Sequence, residues 1–171
     1  LEPRAGRNET QDFGGDAQGG TPTTGLKFGN WFVTAEPGAD NTEVNPSRAG
    51  LSGDGNDFKV GEELRFTYQG LDETIDPTNG DPDQLVFGLK APQGATFTVL
   101  FYLGAGPAIG TLASVTGDEA NGLVLDLSTI GEFDAVVLVP TAAPAALKIE
   151  SISTVDLYAP QDEAITFSVA V

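Results

Sequence analysis

The chain has 171 residues, with 25 Asp or Glu against 8 Lys or Arg, a formal charge of −17. Cysteine, histidine and methionine are all absent, which excludes disulfides, thiolate metal sites, thiol nucleophiles and imidazole bases. So acidic a surface repels nucleic acid and anionic membranes, both of which need basic contacts, and favours cations or basic partners.

The length suits one domain with an arm. No apolar run reaches the roughly 18 residues of a membrane-spanning helix, so no membrane insertion is expected. The missing methionine, position 1 included, reads as a mature fragment or processed product. An extracellular or surface-exposed location is expected from the class of protein; no export signal is visible.

Residues 1–25 are rich in Gly, Thr, Pro and charge and read as an extended polar arm. Residues 26–171 read as the folded domain. Leu26–Ala35 is dense in aromatics and predicts a first strand, and Glu36–Asp57 a long loop. In Phe58–Gln69 the alternation places Leu64, Phe66 and Tyr68 on one face, with Arg65, Thr67 and Gln69 on the other. Gly70–Asp83 is an acidic loop. Strands then follow at Gln84–Lys90 and Ala95–Leu103, joined by a turn at Ala91–Gly94 of hairpin length. Further strands are expected at Ile109–Thr116, Gly122–Leu127, Ala135–Val139, Ala146–Leu157 and Ala164–Val171. About nine short strands punctuated by Gly, Pro and Asp predict an all-β, antiparallel β-sandwich. The long 36–57 connection favours a jelly-roll or Greek-key topology. The expected core is Leu64, Phe66, Leu85, Phe87, Phe97, Val99, Phe101, Leu125, Val137, Ile149 and Phe167.

The loop Leu71–Gln84 spaces Asn79, Asp81 and Asp83 by two, as calcium loops space oxygen ligands, with Asp76 nearby. These four residues are the candidate Ca²⁺ site; a solvated acidic loop is the alternative. Gly53–Asp57 offers Asp54, Asn56 and Asp57, which also suit turn chemistry. Trp31, flanked by Phe28 and Phe32, is a candidate sugar-stacking platform or a core residue. Tyr102 is a second ligand-binding candidate, because it falls opposite the Phe97/Val99/Phe101/Leu103 face. No pair of carboxylates is singled out for glycoside hydrolysis, and no phosphate-binding glycine loop occurs. A non-catalytic protein is expected.

The run GLVLDLSTIGEFDAVVLV followed by ALKIESISTVDLY resembles the closing half of galactose-binding-like jelly-roll domains. The pattern is a hydrophobic strand, a short turn, a paired strand, and a last strand of alternating Ile and Leu with an Asp. The resemblance covers residues 122–158 and implies glycan binding, often with structural calcium. The further strand Ala164–Val171 departs from that plan, and no binding residue is carried over.

Two functional readings follow. The first is a structural subunit of an extracellular filament, surface layer or virion, with copies of itself as partners. It draws on the arm, the terminal strand and the lack of catalytic residue types. The alternative is a calcium-assisted carbohydrate-binding or adhesion module with glycans as partners.

Overall fold

A computed structural model describes residues 8–14, 21–79 and 82–157. The expected strand Ala164–Val171, with Phe167, lies outside the described residues, as do most of the arm and Asp81. Twelve strands are described: β1 Thr10–Asp12, β2 Gly25–Phe28, β3 Trp31–Ala35, β4 Asn45–Ser47, β5 Gly50–Ser52, β6 Leu64–Tyr68, β7 Gln84–Lys90, β8 Thr96–Tyr102, β9 Gly110–Thr116, β10 Leu123–Asp126, β11 Ala135–Ala142 and β12 Lys148–Val155. They form two antiparallel sheets. The first runs β10-β7-β12-β5-β4, with β1 also on β12. The second runs β2-β3-β6-β11-β8-β9.

The topology is a folded ribbon. β8 pairs with β9, β7 with β10, β6 with β11 and β5 with β12. These nested pairs alternate between the sheets, and β7–β12 and β8–β11 pairing closes each sheet. This wrapping is that of a jelly roll. It corrects one local expectation: Ala91–Gly94 is not a hairpin turn, because β7 and β8 lie in opposite sheets. Leu85, Phe87 and Leu89 face Phe97, Val99 and Phe101 through the core instead of lying side by side in one sheet.

The core follows the period-two pattern. In LRFTY and TFTVLFY, every second residue is buried. Phe66 of one sheet meets Phe87 of the other, ring centroids 5.0 Å apart. Each such ring contributes about 1.5–3 kcal/mol by leaving water. Val137 is fully buried, as expected, but not in this core. Val136 and Leu138 face inward, opposite Phe66 and Leu64; Val137 lies on the outer face of the second sheet.

Three regions differ from the expected strand plan. The first strand is a hairpin, β2 and β3, turned at Gly29–Asn30 with Gly29 at φ +54°. The 36–57 loop holds the short strands β4 and β5. Within the arm, Thr10–Asp12 pairs with Ser151–Ser153, and Phe13 then enters the core.

The acidic loop 53–62 is organised by its own carboxylates. Glu62 is 5% exposed and accepts hydrogen bonds from the backbone N–H of Asp54 (2.7 Å) and Lys59 (2.9 Å). Asp54 in turn accepts from Thr42 and Glu43 N–H. Two N–H groups of a loop without ladder partners are thereby satisfied from within the loop.

Candidate functional site

The outer face of the second sheet carries the most distinctive chemistry. Strand register fixes its rows. Phe32, Thr67, Ala135 and Tyr102 stand side by side across β3, β6, β11 and β8. Thr34, Arg65, Val137 and Leu100 form the next row. The alternation that buries Leu64, Phe66 and Tyr68 turns Arg65 and Thr67 outward.

Arg65 reaches diagonally across β11. Its guanidinium carbon lies 4.6 Å from the centre of the Tyr102 ring. Its Nη1 donates to both oxygens of Glu36, at 3.3 and 3.1 Å. The two side chains are 22% and 17% exposed, so screening by water is only partial. A cation–π contact contributes about 0.5–2 kcal/mol, and together the two contacts hold the guanidinium in one plane. Below it, Ala135 and Val137 are fully buried, covered by the side chains of this face.

Other polar groups converge here. Burial pushes the Tyr102 phenol above its ordinary value; Glu36 and Glu63 add to this, and Arg65 opposes it. Burial, then the Glu36 charge, pushes the Glu63 carboxyl up. Among the described residues, Arg65 Nε and Nη2, the Tyr102 hydroxyl and the Glu63 carboxylate have no protein hydrogen-bond partner. On the far side, half-buried Phe32 lies over Gly25, where an added Cβ would stand 2.5 Å from the ring. Glycine there lets the ring lie down on the sheet. Three strand spacings, about 14 Å, separate Phe32 from Tyr102.

The structure does not bring Trp31 and Tyr102 together. They lie on opposite faces of one sheet. Trp31 is 3% exposed and packs edge-on against Tyr68, centroids 5.2 Å apart, so the stacking role expected of it has no exposed ring face to carry it. Phe32, next in sequence, takes the outer position. Phe32, Arg65, Glu36 and Glu63 are the residues that sequence reasoning missed. The available signal was period two itself: in β3, either Trp31 or Phe32 must face outward.

Of the four calcium candidates, Asp76 accepts from the Thr78 N–H (3.1 Å) and the Thr78 hydroxyl. Asp83 accepts from Leu157 N–H at 2.7 Å. Asp81 and the Asn79 side chain lie outside the described residues. No group of three or more acidic ligands that could hold a metal occurs among the described residues. Asp83 lines a cleft of about 230 Å³ with Pro77, Pro82, Gln84, Asp126 and Leu127. Asp126 is held below its ordinary value by the Ser128 N–H. No helix among the described residues is long and apolar enough to cross a membrane.

No family model matches the sequence, and no curated protein matches it. Among solved structures, the chain is similar to a low-affinity xylan-binding module, CBM86, from the gut symbiont Roseburia intestinalis. Identity is 14%, the match covers 85% of this chain and 92% of that one, and the TM-score is 0.44. A likeness of that size carries no argument about function.

Proposed function

We propose that this domain binds a polysaccharide on the outer face of its second sheet, between Phe32 and Tyr102. One observation carries the reading. Arg65 is fixed by Glu36 and Tyr102, yet its Nε and Nη2 donors have no protein partner among the described residues. Beside it stands the Glu63 carboxylate, unpartnered among the described residues, and along the same row of strands stand the half-buried Phe32 and Tyr102 rings. A pyranose ring offers neighbouring hydroxyls that both donate and accept, and an apolar C–H face. The guanidinium fork, the carboxylate and the half-buried rings of Phe32 and Tyr102 match those three features, and preorganised side chains cost little to order on binding.

The structural-subunit reading drew on an arm in need of a partner. Thr10–Asp12 finds its partner in Ser151–Ser153 of the same chain, which removes that motive for those residues. A glycan ligand also fits the extracellular or surface setting expected from the sequence.

The test is affinity electrophoresis through gels carrying soluble polysaccharides. At least one neutral polymer should retard the protein. Tyr102→Ala and Arg65→Ala should each weaken that retardation about tenfold with the fold retained by circular dichroism. Arg65→Lys should not rescue it, since an ammonium lacks the planar fork. Retardation untouched by either alanine would sink the assignment of this face.

A further inference from the structure

The charges gathered around Arg65 decide which glycans the face accepts. Arg65 supplies one positive charge, and Glu36, with an oxygen 3.1 Å from it, cancels that charge. Glu63 adds a second carboxylate on the same face. Arg65, Glu36 and Glu63 are the charged groups around Tyr102, so among the described residues the site is net negative by one.

Among the described residues, the remaining basic group on this face is Lys27. It is exposed and stands opposite Phe32 on the edge strand β2. By strand geometry it lies roughly 15 Å from Glu63, beyond the screening length of about 8 Å at physiological salt. It leaves the Glu63 charge in place. The rest of the chain supplies no relief, since its formal charge is −17.

Resting on the glycan-binding reading above, we propose that the face selects uncharged polysaccharides, with Glu63 as the specificity-determining residue. Its carboxylate accepts from a sugar hydroxyl. The same carboxylate repels a uronate or sulfate placed where that hydroxyl would be. Arg65, which in other settings would recruit such an anion, is already matched by Glu36 and acts here as a neutral hydrogen-bonding plate. Selection of this kind comes from repulsion as much as attraction.

Matched pairs of soluble polymers test this: hydroxyethyl- and carboxymethyl-cellulose, methyl-esterified and de-esterified homogalacturonan, galactomannan and polymannuronate. Affinities are measured at neutral pH, at physiological and at high salt. In whichever pair binds, the neutral member should bind about tenfold or more tightly, and the preference should persist at high salt, where the long-range field of the body is screened. Glu63→Gln keeps the shape and an acceptor oxygen but removes the charge, and should bring the two members within about threefold. Equal or tighter binding of the charged member by the wild type overturns the proposal while leaving the glycan reading intact. A preference unchanged by Glu63→Gln overturns the role of Glu63. Binding of no polymer, neutral or charged, overturns the glycan reading itself.

Discussion

Phe13 sets its ring edge-on to Phe28, centroids 5.0 Å apart and planes at 69°. It also leans on Phe66 at 5.6 Å and is fully buried. A segment that composition marks as a loose arm thus contributes one of the larger rings of the core. Hydrogen bonds to β12 and the residue after it help: Thr154 N–H donates to the Glu9 carbonyl at 2.8 Å, Glu9 N–H to Thr154 Oγ1 at 3.0 Å, and Asp156 N–H to Asn8 Oδ1 at 2.9 Å. Phe13→Ala should cost about 3–5 kcal/mol, the usual range for a buried phenylalanine, read as a shifted urea midpoint. Deleting residues 1–14 should cost at least as much. A loss below about 1 kcal/mol for either would mean that Phe13 does not belong to the core in solution.

Two glycines give opposite expectations. Gly50, the first residue of β5, has φ +127°, and an added Cβ would stand 2.5 Å from the carbonyl oxygen of Ile149. That oxygen belongs to backbone and cannot swing away. Gly50→Ala should therefore destabilise by well over about 1 kcal/mol. At Gly131 nothing lies within 4 Å of the added Cβ and φ is not positive. Gly131→Ala should be neutral, or stabilise by up to about 1 kcal/mol through the unfolded chain. Thermal melts of both variants decide it; similar losses would refute the distinction.

Glu62 is expected to hold the 53–62 loop rather than serve a ligand. Glu62→Ala leaves the N–H groups of Asp54 and Lys59 without their acceptor. The expected cost is about 1–3 kcal/mol, with hydrogen exchange at those two amides rising most. Unchanged exchange there would show the clasp to be idle.

Stability should rise as pH falls from neutral into the mildly acid range. Burial pushes Glu62, Glu63 and Glu150 above their ordinary 4.5, with Glu36 adding at Glu63 and Glu119 at Glu150. Each takes up its proton in the native state before the unfolded state does. The native state is therefore favoured as pH falls through those raised values, and the gain levels off near 4.5. Asp118 and Asp126 run the other way. Backbone N–H groups of Asn121 and Ser128 hold them below 3.8, so their contribution is lost as pH falls further. The melting temperature should peak between these two regimes. Glu63→Gln should flatten the rise. A melting temperature that only falls between neutral pH and about pH 5 would contradict the burial of these glutamates.

The sequence was most legible where polarity alternates. LRFTY and TFTVLFY alone sufficed to put Leu64, Phe66, Phe97, Val99 and Phe101 inside and Tyr102 outside. Where alternation stops, so does legibility. AVVLV is apolar at every position and conceals that Val137 faces away from Val136. WF holds two rings in a row, and only the pairing of Trp31 with Tyr68 shows which one is inside. β4 and β5 are three residues each, too short for a period to register among Pro and Gly. The Arg65–Glu36–Tyr102 grouping joins β6, β8 and the residue that follows β3, distant in sequence, so it depends on register, which no local pattern carries.

The place of β12 has a consequence for how the molecule comes into being. It is the last strand described, yet it sits in the middle of the first sheet, between β7 and the β5/β1 edge. A chain that emerges from its N-terminus, during synthesis or export, makes β1, β4, β5, β7 and β10 before the strand that joins them. The β2–β3, β4–β5, β7–β10 and β8–β9 pairs can form before it; the first sheet waits in separate pieces with open edges until β12 joins β7 to β5. Such late, non-local closure is slow and exposes unpaired strands to other chains. Here the charge of −17 acts before any ligand is met: unfinished copies repel one another during the interval in which they could most easily pair wrongly.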